Sequence, residues 1–136
     1  MGTWDIGHFD NDSAADFSGT VDDTPRAGRE AVVREALAFA AEASEYLDSD
    51  EGAVAVAAAA LVAAQCPGGE AVTTAYGPKE PLPDFAPELR PLAVRALDAV
   101  LGNDSELHEL WDESGDKTWA AGIARLKEVL AAAPAG

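Results

Sequence analysis

Hydrophobic and polar positions fall into helical periods along most of the chain. Between Pro25 and Leu47 the positions Val33, Leu37, Ala40, Ser44 and Leu47 step by four and three. Val32, Ala36, Phe39, Ala43 and Tyr46 form an adjoining seam, so the spacing predicts a long helix with a wide buried face. Opposite lie Arg29, Glu30, Arg34, Glu35, Glu42 and Glu45, read as a solvated face, with Glu30 and Arg34 in the favourable i, i+4 order. Thr24 and Pro25 mark the start, because threonine caps and proline at the first helical position gives up no hydrogen bond. Upstream, a short helix is expected from Asn11 or Asp12 to Ser18, with Ala14 and Phe17 inward and Asp12 and Asp16 toward water. Gly19 is placed to stop it, leaving residues 20–24 as a polar connection.

The segment LDSDEG supplies caps for a third helix, about Glu51 to Cys66. From Gly52 to Cys66 there is no charge, yet the run is shorter than the roughly 20 residues needed to cross a bilayer, so it predicts a buried core helix. Its alanines let neighbours approach on every side, and Pro67, Gly68 and Gly69 end it. Pro67, Pro78, Pro81, Pro83, Pro87 and Pro91 then rule out continued helix and predict one long loop, about 67–88, strapped to the core through Val72, Tyr76, Leu82 and Phe85. A fourth helix, about Pro87 to Leu101, buries Leu89, Leu92, Ala93, Ala96, Leu97 and Val100 and stops at Gly102. A short fifth, SELHELWDE, turns Leu107, Leu110 and Trp111 inward, and a last helix from Asp116 to Ala132 uses Trp119, Ile123, Leu126 and Leu130. The expected fold is all-α: a single compact bundle-like or orthogonal domain over residues 1–136, of about six helices with one long Pro-rich loop.

Charge narrows the partners. Twenty-five Asp and Glu face nine Lys and Arg, a net charge of −16, which repels nucleic acid; attraction of a protein with a basic face, or mimicry of a nucleic-acid backbone, is weighed against the plainer reading that such acidity mainly confers solubility. The 48% hydrophobic content is enough to bury a core without disulfides or metal. Cys66, the single cysteine, allows neither an internal disulfide nor a cysteine-based zinc site, and points to a reducing compartment, the cytoplasm. Residues 1–20 carry no secretory pattern, and Ile6 breaks the myristoylation pattern.

Candidate chemistry is sparse. Asp10, Asp12 and Asp16 suggest a calcium loop, but Ala15 stands where that loop needs glycine and Val21 where it needs glutamate. A looser divalent site from these acids and His8 is weighed against helix capping, the commoner use of such residues. His108 with Glu109 and Asp112 reads first as a polar helix face, and Cys66 has no basic sequence neighbour to activate its thiol. No serine elbow, phosphate loop, zinc-protease motif or dinucleotide fingerprint occurs, so no catalytic, cofactor or metal residue is assigned. Tyr76 and Lys79 in the loop, and Glu106, Glu109 and Asp112 in the acidic cluster, are the surface candidates for contact. The leading expectation is a non-catalytic acidic helical protein that binds another protein. The alternative is a small-molecule- or divalent-metal-binding protein, or an unfamiliar hydrolase, with a pocket under the 67–88 loop.

The opening stretch MGTWDIGHFDNDSAADF gathers the most directional residues. Trp4 and Phe9 are expected to plug the end of the helical body, while Asp10 to Ser13 fasten the first helix. The stretch resembles the uncharacterised bacterial family catalogued as domain of unknown function 4259, whose members open with MGTWG, then G-x-FDND, alanine and a further Asp. The matching positions are Gly2, Thr3, Trp4, Gly7, Phe9, Asp10, Asn11, Asp12, Ala14, Ala15 and Asp16, with Asp5 departing from the family glycine. The resemblance extends in pattern and length to Trp111 and Trp119, and implies no activity, ligand or catalytic residue.

Overall fold

The computed structural model describes residues 12–42, 47–65, 85, 88–102, 105, 106, 109 and 118–132. Among these residues the protein is all-helical, with α1 (Asp12–Asp23), α2 (Arg26–Ala41), α3 (Ser49–Ala64), α4 (Leu89–Val100) and α5 (Thr118–Ala132). One isolated parallel bridge joins Leu47 to Ser105. None of the described helices is long and apolar enough to cross a membrane.

Helix α3 is the shared wall. It contacts α1, α2, α4 and α5, and Ala53, Ala55 to Ala60, Leu61, Val62 and Ala63 are all buried. A helix apolar on every side has no face to offer water, so it must lie inside, and alanine lets helix axes approach closely there. Asp48 starts it through a capping box. The Asp48 carboxylate accepts from the Glu51 amide at 2.9 Å while the Glu51 carboxylate accepts from the Asp48 amide at 3.3 Å. The helix therefore begins slightly before the expected Glu51. At its far end the Gln65 side chain accepts from the Phe85 amide at 2.9 Å, and Phe85 is buried. Pro67, Gly68, Gly69, Val72, Tyr76 and Leu82 lie outside the described residues.

Helix α1 corrects the expected stop at Gly19: it runs on through Gly19 to Asp23. Continuation buries Val21 completely, one turn beyond the buried Phe17. Burying a valine side chain is worth about 1.5–3 kcal/mol, more than the roughly 1 kcal/mol that an interior helical glycine costs. Helix α2 starts after Pro25, which takes the cap position without a side-chain cap. The Thr24 hydroxyl, expected to cap α2, donates instead to the Thr20 carbonyl at 2.7 Å.

Val33, Leu37 and Ala40 form the buried stripe of α2, but Phe39 is 57% exposed, against the expected seam. It sits roughly 100° round the helix from Ala40 and 200° from Leu37, beyond the sector that α3 and α4 cover. The helix also ends at Ala41, short of the expected Leu47. Leu47 is buried in the bridge to Ser105, because the backbone must become extended before Asp48 can cap α3.

Leu89, Ala93, Ala96, Leu97 and Val100 of α4 are buried as expected, with Leu92 packed against them, and Ile123, Leu126 and Leu130 supply the core side of α5. Arg34 pairs with Glu88 at 2.9 Å and Lys127 with Asp98, tying α2 and α5 to the α4 segment. Such exposed pairs contribute about 1 kcal/mol or less each, so apolar packing dominates. Of the expected short fifth helix, Glu106 and Glu109 take helical positions, whereas Leu107, His108, Leu110 and Trp111 lie outside the described residues.

A Cβ built on Gly19 meets nothing within 4 Å, whereas one on Gly28 meets the Thr24 methyl at 3.1 Å. Gly19→Ala is therefore expected to stabilise the fold by about 0.5–1 kcal/mol, with little or no gain from Gly28→Ala. Thermal melts of both variants check this, and a loss at Gly19 would contradict a helix continuing through it.

Candidate functional site

Electrostatics distinguishes the described surface. Arg29 was expected on the solvated face of α2, but it is buried against the end of α1. Its Nε donates to the Val21 carbonyl at 3.1 Å and the Thr24 carbonyl at 2.8 Å, and its terminal nitrogen reaches the Asp22 carbonyl at 3.4 Å. The cause lies in α1, whose last turn has no basic residue and ends in Asp22 and Asp23. A helix C-terminus carries partial negative charge and unpaired carbonyls, so α1 needs a cation that its own sequence lacks. Arg29 supplies it from the next helix. With Arg34 and Lys127 held in ion pairs, these three cations are engaged within the fold.

The acidic side chains gather where the bridge closes. The Glu106 amide donates to the Leu47 carbonyl at 2.8 Å and the Glu109 amide to the Ser105 carbonyl at 3.1 Å. Leu47 leads directly into Asp48, Asp50 and Glu51, so two acidic segments far apart in sequence share one end of the helical body. Asp48, Asp50 and Glu109 are exposed there, and Glu106 is half-buried. Helices α2 and α4 also end toward this region without a basic residue in their last turns, adding the negative ends of two helix dipoles. The N-terminus of α3 offsets part of that field, and Asp48 and Glu51 already occupy it.

Such an end can hold cationic groups at its surface. It holds no cluster of three or more His, Cys, Asp or Glu suited to a metal among the described residues. Of the sequence candidates, Glu106 and Glu109 lie at this end, Asp16 is exposed on α1, and Asp12 is the first residue of α1. Trp4, Gly7, His8, Phe9, Asp10, Asn11, Tyr76, Lys79 and Asp112 lie outside the described residues. Sequence reasoning missed the contribution of Asp48 and Asp50, because only the long-range Leu47–Ser105 pairing joins them to Glu106 and Glu109.

The family model of the domain of unknown function DUF4259 matches residues 2–122. The chain belongs to this family. The match runs from the opening motif into α5, so the DUF4259 region takes in the acidic end and the whole of α3. No curated protein and no solved structure matches the chain.

Arg29→Leu tests the charge arrangement from the inside. It removes the cation while keeping an apolar stem, takes the Arg29 donor from the Thr24 carbonyl and leaves the Val21 carbonyl with the Thr24 amide, so the fold is expected to lose about 1–3 kcal/mol. Denaturant melts measure this, and an unchanged midpoint would show that α1 needs no cation at its end.

Proposed function

We propose that the chain is one helical domain, residues 1–136, that acts as a non-catalytic acidic module in the cytoplasm and binds a protein through a basic face. The observation that carries this is the acidic end, where Asp48, Asp50, Glu106 and Glu109 converge in a chain of net charge −16. Fields of this kind steer cationic partners into encounter and suppress wrong ones, and they weaken with salt. They also repel the phosphate backbone, so nucleic acid is not the partner.

The immobilised protein should retain a partner from lysate at low salt and release it at high salt. The recovered partner, purified, should bind the wild type directly, with affinity falling as ionic strength rises. Asp50→Asn with Glu109→Gln should weaken that binding several-fold, mainly through slower association. A partner insensitive to both salt and these substitutions, or no partner retained at low salt, would overturn the assignment.

A further inference from the structure

We infer that Phe39 is the aromatic anchor of this interaction: it enters an apolar socket on the partner, and Glu35 and Glu42 meet Lys or Arg on the rim of that socket. The inference rests on the acidic end being a protein-binding surface, and it specifies what the partner must carry. Phe39 is the exposed large hydrophobic side chain among the described residues, at 57%. A lone apolar side chain at a surface is ordinary, and it is the setting of this one that singles it out.

Glu35 lies one turn before Phe39 on α2, and Glu42, the residue that caps the end of α2, lies three residues after it; both are exposed, so an aromatic ring stands between two carboxylates. Val32 and Ala36, partly buried against the core, continue the apolar surface beside the ring. Phe39 occupies the last turn of α2, the helix that precedes Leu47, Asp48 and Asp50 in the chain.

Charge complementarity identifies the occupant. Two copies meeting through this face would bring Glu35 and Glu42 of each toward like charges, in chains of net charge −16, which opposes self-association. A socket rimmed by Lys or Arg turns the same groups into attraction. Aromatic side chains that desolvate fully dominate binding energy at interface centres, while charges at the rim mainly govern the rate of encounter. The two residue types should therefore separate kinetically.

The experiment titrates the partner recovered at low salt, in pure form, against the wild type, Phe39→Ser, the double variant Glu35→Gln with Glu42→Gln, and Glu128→Gln. Glu128 is an exposed acid on α5, which packs against α3 and α4. Phe39→Ser should leave the melting temperature unchanged, since the ring is exposed, yet weaken binding at least tenfold through faster dissociation. The double variant should slow association and flatten the salt dependence, and Glu128→Gln should do neither. If the partner binds Phe39→Ser as tightly as wild type while Asp50→Asn with Glu109→Gln still weakens it, the anchor is wrong and the acidic surface stands. If no salt-sensitive partner binds the wild type, both fail. A wild-type dimer in sedimentation that Phe39→Ser dissociates would make a second copy the occupant and overturn the inference.

Discussion

The close approach of four helices to α3 is the constraint on which the structure depends. From Gly52 to Ala64 the helix carries no charge, and its alanines from Ala53 to Ala63 are buried. A buried helix of small side chains stabilises the fold through contact with several partners at once, because each alanine by itself removes little apolar surface from water. The larger side chains come from around it: Phe17 and Val21 from α1, Val33 and Leu37 from α2, Leu89 and Leu97 from α4, and Ile123 and Leu130 from α5. Interiors packed to crystal-like density tolerate added volume poorly, so the smallness of α3 sets the positions of its neighbours.

From that packing follow the features at the ends of the helices. Val21 must reach the core, so α1 continues through Gly19, and its end then needs Arg29. The capped start of α3 requires an extended Leu47, which pairs with Ser105 and draws Glu106 beside the acidic entry to α3. The acidic end is in this sense a product of how the core closes. Arg29 and Arg34 serve carbonyls and a carboxylate on other parts of the fold, while Lys127 pairs with Asp98 in the last turn of α4.

What the sequence made legible was what depends on one helix at a time. The uncharged alanine run announced a buried helix, LDSDEG announced its cap, and the spacing of Leu89, Ala93, Ala96 and Val100 announced a core face. The errors arose where a neighbouring element decides. Helical spacing says which residues share a sector, but how wide a sector is covered depends on the partners, and Phe39 falls just beyond it. Gly19 obeyed a local rule that the burial of Val21 outweighs. Arg29 looked like one more solvated charge, although the absence of any basic residue at the end of α1 was a readable sign that a cation must come from elsewhere. The acidic end was half visible, as Glu106 and Glu109, and its other half waited on a long-range pairing that periodicity does not encode. Membership of DUF4259 agrees with the family the sequence resembles and adds no chemistry.

Native-state hydrogen exchange of the α3 amides tests the role of this helix as the shared wall most directly. If α1, α2, α4 and α5 are all placed by contact with α3, the amides of Ala55 to Leu61 should exchange only through global unfolding, with an opening free energy equal to the stability measured by denaturant. Exchange of these amides through a lower-energy opening, while α2 and α4 stay protected, would show that the fold stands without α3 and would contradict its organising role.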